Sequence, residues 1–599
     1  MRLDYLTACC LLAFSTMALA EETTSTETQE ASEQEATEQV EAKVDLEIKG
    51  IKEQAPEAWD NVKIFVDRFS NEERDGSERF QYQLQQQVDK ALRAKGYYNT
   101  KYQFVETPRA GKKPLLVLNV ELDKERVKID ETEINITGQG KTDEAFEQLV
   151  KTAPKKGAIL EHNVYDSFKS SLEGLAYKRG YFDAEWLYHR LEVYPKEHSA
   201  DWRLGYDTGD RYHYGKITFK DSQIREDYLE NILKIKSGDP YLANDLSTLT
   251  TDYSSSNWFS SVLVEPDIDE KNKVVDLDVR FYPRKKNDVE IGIGYATDDG
   301  PRLQLNWKKP WLNDRGHSLE TNTYLSKPSQ SFEFGYNIPV KKDPIYQYYQ
   351  ISGGIERENR NDTKSTAANL GFQRFWNSET GWSFSTGVKA RYDAFTQGND
   401  KFKTLLIYPT ASVGYKRSDG NRFPLWGESH KLTVNWGNKV WLSDVNFYSA
   451  KFSTAWIRTF FDNHRFFLRG ELGYMKAGEF QRIPPALRYF AGGDNSIRGF
   501  GYKNISPRDK DGKLTGGSHL MTATAEYQYQ VYPNWWAAAF YDTGLAANDF
   551  KSTNLNSGVG VGVRWASPIG AVKFDIATPV RSPNKEKGIK FYIGLGAEL

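Results

Sequence analysis

Ile589-Lys590-Phe591-Tyr592-Ile593-Gly594-Leu595-Gly596-Ala597-Glu598-Leu599 closes the chain, and its alternation decides how the second half of the sequence is read. Ile589, Phe591, Ile593, Leu595, Ala597 and Leu599 are apolar, and Lys590, Tyr592, Gly594, Gly596 and Glu598 stand between them. A period of two sends the first set to one face of a strand and the second to the other. Val559, Val561, Val563 and Trp565 alternate in the same way with Gly558, Gly560, Gly562 and Arg564. So do Val289, Ile291, Ile293 and Tyr295 with Glu290, Gly292, Gly294 and Ala296. From Asp288 to the end, about sixteen such segments follow one another, an even number suited to an antiparallel transmembrane barrel. A soluble sandwich would alternate similarly. Trp307, Trp311, Trp376, Trp382, Trp436 and Trp441, placed near segment ends, favour the interfacial girdles of a membrane barrel.

Composition agrees with this reading. Mean hydropathy is -0.67, yet 14% of residues are aromatic. A barrel produces that combination because only alternate residues meet lipid. Past the N-terminus no run of about 18 apolar residues exists, so no membrane helix is readable. The net charge of -3 carries no nucleic-acid signature.

Residues 1–20 read as a secretory signal peptide, with Arg2 before an apolar Leu11–Leu19 segment and Ala18-Leu19-Ala20 as the cleavage pattern. Leu6-Thr7-Ala8-Cys9 offers a second reading, a lipoprotein processing box that would acylate Cys9. Cys9 and Cys10 are the only cysteines, so cleavage at Ala20 leaves a chain without thiol or disulfide chemistry. Residues 21–42, rich in Glu, Thr, Ser, Gln and Ala, are expected to form a disordered acidic linker, with an acidic interaction tail as the sharper alternative.

Between the linker and the barrel a pattern of strand, two helical segments, aromatic corner and two strands recurs three times, with a period of roughly 80 residues. The first unit, 43–123, turns at Gly96-Tyr97-Tyr98; the second, 127–210, at Gly180-Tyr181-Phe182; the third, 212–284, at Asn257-Trp258-Phe259. This β-α-α-β-β layout resembles the polypeptide-transport-associated (POTRA) domain. The fold class is therefore three α+β POTRA repeats followed by an all-β, sixteen-stranded barrel over 288–599.

The barrel is interrupted by Pro484-Pro485-Ala486-Leu487-Arg488-Tyr489-Phe490-Ala491-Gly492-Gly493-Asp494-Asn495-Ser496-Ile497-Arg498-Gly499-Phe500-Gly501-Tyr502. A surface loop has no need of Tyr489, Phe490, Ile497 and Phe500 around one cation, and its glycines permit tight turns. The segment 484–518 is expected to fold into the lumen with Arg498 at its tip. Alternation places Glu526, Asp542 and Asp575 on the lumen side, where a guanidinium would find a directional carboxylate partner. A solvated Arg498 is the bland alternative.

The chain is identified on these motifs as a member of the outer-membrane assembly-factor superfamily. The resemblance covers nearly all of it beyond the linker. Gly492-Gly493-Asp494-Asn495-Ser496-Ile497-Arg498-Gly499-Phe500 is similar to the family's infolded loop, and Phe540-Tyr541-Asp542-Thr543-Gly544 to its Phe-x-Asp-x-Gly strand. The resemblance implies a loop lock of Arg498, Gly499, Phe500 and Asp542. The stretch from Arg564 to Gly570 is similar to the family's penultimate hairpin. General assembly factors of the BamA type carry five POTRA units and two-partner secretion transporters two. Three units and the ending Phe591 to Leu599 most resemble the TamA branch, although a terminal Leu599 departs from the Phe or Trp of many barrels.

That branch implies an insertase or translocase for β-rich outer-membrane proteins, notably autotransporters, working without nucleotide or other cofactor. It places the barrel in the outer membrane of a Gram-negative bacterium and the POTRA units in the periplasm. A TamB-like, inner-membrane-anchored partner would meet the first unit. Gly292 and Gly294 on the first barrel strand are expected to face Gly594 and Gly596 on the last, forming a weak lateral seam. Making room for a plug explains the same glycines equally well. No enzyme motif survives scrutiny: Gly516-Gly517-Ser518-His519 lacks the closing Gly of a nucleophile elbow, and Asp509-Lys510-Asp511-Gly512 is too short for an EF-hand. A passive porin or receptor is the reading from another class.

Overall fold

The computed structural model describes residues 41–296, 300–568 and 570–596. The expected signal peptide 1–20, the linker up to residue 40, Ile569 and the final residues 597–599 lie outside them. Among the described residues no helix is long and apolar enough to cross a membrane. The chain packs as two compact units, the first holding module one and most of module two, the second the rest.

In the first unit, β1 (Asp45–Lys49), β2 (Lys101–Thr107) and β3 (Leu115–Glu121) form a sheet of order β1-β3-β2, with β1 parallel to β3. Helices α1 (Ile51–Gln54), α2 (Pro56–Val66) and α3 (Glu78–Arg93) complete module one. Helix α3 starts where the Ser77 hydroxyl accepts the Phe80 N–H at 3.2 Å, an N-cap. It buries Phe80, Leu84, Val88, Ala91 and Leu92, the one face that spacings of three and four residues align. Gly96 ends that helical run at φ 86°, and the Tyr97 N–H reaches back to the Leu92 carbonyl. Module two has β4 (Lys128–Thr137), α4 (Glu144–Val150), α5 (His162–Lys178), β5 (Glu185–Tyr194) and β6 (Ser199–Asp207), in sheet order β4-β6-β5.

The aromatic corners are joints. Val127 N–H donates to the Gly96 carbonyl, and Arg126 donates to the Lys95 carbonyl while its guanidinium lies over the Tyr97 ring. In the second unit Tyr212 N–H donates to the Gly180 carbonyl, Arg211 to the Arg179 carbonyl, and Arg211 lies over Tyr181. Each corner tyrosine also donates to a carboxylate, Tyr97 to Glu57 and Tyr181 to Asp143. At the third corner the Trp258 carbonyl accepts the Arg284 N–H, one residue along.

Module three comprises β7 (His213–Lys220), α6 (Glu226–Leu229), α7 (Ala243–Ser255), β8 (Phe259–Asp269) and β9 (Val274–Pro283), in sheet order β7-β9-β8. The barrel sheet begins with β10 (Asp288–Ala296), β11 (Gly300–Lys309), β12 (Ser318–Ser326) and β13 (Ser329–Pro339). It continues through β14 (Gln347–Arg360), β15 (Thr363–Asn377), β16 (Trp382–Gln397), β17 (Asp400–Ser418), β18 (Gly427–Gly437) and β19 (Phe447–Phe460). It ends with β20 (His464–Ala477), β21 (His519–Tyr532), β22 (Trp535–Ala547), β23 (Asn556–Ser567), β24 (Gly570–Arg581) and β25 (Lys590–Gly596). All sixteen are joined in sequence order, each antiparallel to the next. Module three docks on the β11–β12 turn: the Trp258 indole N–H donates to the Gly316 carbonyl at 3.0 Å.

Side-chain placement inverts that of a soluble protein. On β15, Leu370 and Phe372 are 56% and 53% exposed, whereas Ser365 and Gln373 are buried. Such a surface is stable only against lipid, with the polar face turned to the lumen.

Candidate functional site: a buried arginine lock in the barrel lumen

The longest barrel connection, between β20 and β21, turns back into the lumen rather than outward. Ile483, Tyr489, Ile497, Phe500 and Ile505 pack there with Phe447, Met475 and Leu520 from the wall. This burial accounts for the apolar residues that surround the cation in the sequence. Short bridges, Tyr489 to Gly517 and Ala491 to Ile505, fold the loop on itself. Arg488 fastens its base by donating to the Ile483, Thr515 and Gln481 carbonyls.

Arg498 is 4% exposed and is saturated by carboxylates. Its Nε and Nη2 donate to Asp542 Oδ2 and Oδ1 at 2.7 and 3.0 Å, a bidentate pair, and its backbone N–H adds a third bond to Oδ2 at 3.0 Å. Nη1 donates to Glu526 at 2.8 Å and to Asp575 at 3.0 Å. The guanidinium lies 3.3 Å from the centroid of the Phe540 ring. Phe540 and Asp542 thus act together, the ring as a floor and the carboxylate as a clamp. Arg564, fully buried, bridges the two remaining acids, with Nε 2.9 Å from Glu526 and Nη1 2.5 Å from Asp575. Two cations therefore face three carboxylates. Arg469 stands beside them and donates to Thr524 and the Ser496 carbonyl.

The loop approaches the wall closely, which requires glycine. A Cβ on Gly558 would stand 1.9 Å from the Arg498 carbonyl oxygen, one on Gly560 2.4 Å from the Phe540 ring, and one on Gly562 1.9 Å from Asp575. The glycine face of β23 is the space the lock occupies. Gly499, at φ 98°, lies against the Thr578–Pro579 backbone of β24, donates its N–H to the Tyr592 hydroxyl at 2.9 Å, and Tyr592 donates to the Phe500 carbonyl at 2.8 Å.

The structure brings Arg498, Gly499, Phe500 and Asp542 together. The seam glycines of the first and last barrel strands are less crowded than those of β23. A Cβ on Gly292 meets only Gln304, at 3.7 Å; on Gly294 it meets Arg302, at 3.2 Å; on Gly594 it meets Asp494, at 3.9 Å, and Lys573. Strand β10 is laddered to β11 and β25 to β24, and β10 and β25 also lie in contact with each other. Gly596 pairs with Ala571 through its backbone, and its surroundings lie outside the described side chains. Among the described residues no ladder joins β10 to β25.

Sequence reasoning missed Arg564 and Tyr592 as members of the site. Parity placed both on the lumen face, but it does not say which strands stand opposite one another.

The pattern described as the Omp85 superfamily domain matches residues 285–599. A pattern described as POTRA domain TamA domain 1 matches 45–122, and one described as surface antigen variable number repeat matches 212–284. The outer membrane protein assembly factor BamA of Nitratidesulfovibrio vulgaris is 23% identical over 429 residues, covering 67% of this chain and 53% of that protein. BamA of Neisseria meningitidis is 21% identical over 484 residues, covering 69% and 60%. The chain thus matches little more than half the length of these relatives. Among solved structures, BamA from Haemophilus ducreyi lacking POTRA domains 1–3 superposes with a TM-score of 0.65 at 17% identity, covering 78% of this chain and 99% of that one. That likeness establishes a shared fold.

Proposed function

Because the chain belongs to the Omp85 superfamily, we propose that it is an outer-membrane assembly or translocation factor, its barrel in the membrane and its three POTRA modules in the periplasm. The observation that carries this reading is the lock. A loop clamped through Arg498 onto Asp542, Glu526 and Asp575 fills the lumen on the β21–β25 side, which suits a gated machine and not a passive pore. Steady, large single-channel conductance would revive the porin reading.

Within that role the TamA branch is the closer fit, supported by the TamA-type pattern over residues 45–122. The first module is then the docking point for a TamB-like partner, and the substrates are unfolded β-rich outer-membrane proteins such as autotransporters. A general BamA-like role is favoured by the relatives named BamA. Depletion separates the two: loss of autotransporter surface display with bulk barrel assembly intact supports the TamA-like role, and collapse of both supports the BamA-like one.

Substrate folding and partitioning into lipid drive the work, with no nucleotide and no catalytic residue. Strands β10 and β25 form the seam at which an incoming strand adds to an exposed edge. The two strands stand at the two ends of the sheet order and lie in contact with each other, as a seam requires. Cysteine pairs that lock β10 to β25 should abolish assembly, and a locked barrel that assembles substrate normally removes the seam from the mechanism.

A further inference from the structure

The barrel has a second inward-folded element, at the opposite mouth. The connection between β17 and β18, residues 419–426, is short but does not hang into the periplasm. Asp419 closes it by accepting the Leu425 and Trp426 N–H groups. Its tip then crosses the mouth. Arg422, on the connection between the eighth and ninth barrel strands, donates to the Pro568 carbonyl in the turn between the fourteenth and fifteenth. Phe423 packs on Trp536 of β22 at 5.8 Å between ring centroids, and Pro424 is buried.

Beneath that tip lies Arg465 of β20, fully buried on the lumen face. Its guanidinium sits 4.3 Å from the Phe423 ring centroid, and its Nε donates to the Pro424 carbonyl at 3.0 Å. Nη1 donates to Gln528 at 2.7 Å, Gln528 donates to Glu526 Oε1 at 2.7 Å, and the other oxygen of Glu526 accepts from Arg498. Five groups in hydrogen-bond contact therefore run from the periplasmic turn to the tip of the infolded extracellular loop. Gln528 and Arg465 are wholly excluded from solvent, so a break in the chain strands a buried polar group.

We propose that residues 419–426 are a periplasmic plug, and that Arg465 is the positioning residue through which displacing this plug loosens the Arg498 lock. An extended polypeptide segment arriving at the periplasmic mouth would compete for the surface of Trp536 and Arg465 that Phe423 and Pro424 occupy. Withdrawal of the Pro424 carbonyl frees Arg465 to turn from Gln528, and Gln528 then no longer steadies Glu526. The inference rests on the loop being the mobile part in the function proposed above, but its test reads physical access and loop motion, so loss of assembly activity alone does not bear on it.

The test uses the full chain in vesicles. Arg422 is exposed, and an Arg422→Ala, Phe423→Ala variant alters only the turn. Two readouts are taken: the rate at which a charged methanethiosulfonate added on the periplasmic side labels Thr522→Cys in the lumen, and the mobility of a nitroxide at Asn495→Cys on the loop tip. The expected result is labelling at least tenfold faster together with a more mobile nitroxide. Arg465→Met should mobilise the loop in the same way, and combining it with the turn variant should add little. Unchanged labelling overturns the plug. Faster labelling with an unmoved nitroxide overturns the coupling.

Discussion

Replacing Arg498 with alanine removes one guanidinium from three buried carboxylates at once. Four side-chain hydrogen bonds disappear, and Asp542 keeps only the backbone N–H of residue 498. Breaking a buried ion pair from one side costs about 3–5 kcal/mol, because the remaining charge is left in a site built for a partner. Arg564 still neutralises Glu526 and Asp575, so the lower end applies, about 3 kcal/mol. At about 1.4 kcal/mol per decade, the equilibrium between docked and released loop shifts on the order of a hundredfold. Loop mobility at a nitroxide on Asn495 and single-channel recordings in planar bilayers read that shift directly. Arg498→Lys should recover little of it, since one ammonium cannot span Asp542 bidentately and reach Glu526 and Asp575 as well. Asp542→Asn should be milder than Arg498→Ala, because the guanidinium keeps two acids. A loop as immobile and a barrel as quiet in Arg498→Ala as in the parent protein would refute the lock.

Three further outcomes are expected. Gly558→Ala places a methyl 1.9 Å from the Arg498 carbonyl and should release the loop, while Gly292→Ala adds one at ordinary contact distance from Gln304 and should leave folding and loop mobility as in the parent. Arg126→Met and Arg211→Met each remove a cationic donor to a corner carbonyl, worth about 1.5–3 kcal/mol, and hydrogen exchange at the Val127 and Tyr212 amides should quicken by one to two decades, about 1.4 kcal/mol each. Hydrogen bonds from His198 and Asn99 hold the Asp123 carboxyl down to about 2, so its contribution is complete above the usual value of about 3.9 and is lost as pH falls from there toward about 2. The urea midpoint of the parent should therefore exceed that of Asp123→Asn at pH 6 and approach it at pH 3.

Strict alternation made the barrel legible, because a wall one residue thick must sort apolar from polar residues at every step. The infolded loop was legible for the opposite reason: its apolar residues had no place on a water-facing connection. What alternation cannot supply is adjacency around the lumen. Arg564 and Tyr592 fall on the correct face, yet their partners lie on strands and a loop far away in sequence. The 419–426 connection carries the turn residues Asp419-Gly420-Asn421; its reach across the mouth depends on Arg465 and Trp536, which no local pattern ties to it.

The corner joints have a consequence for how such a chain changes over generations. Each of the first two is made from a main-chain carbonyl, a main-chain amide and one arginine that precedes it. Beyond these the arginines touch the modules at a few points, Arg126 at Glu57 and Arg211 at Asp143 and the Tyr241 carbonyl. A duplicated module arrives carrying both halves of its own connector, so copies can be gained or lost without redesigning their neighbours. Only the last corner, where Trp258 has replaced tyrosine and reaches Gly316, is committed to one particular neighbour. Module number is thus free to drift, and the junction with the barrel is not.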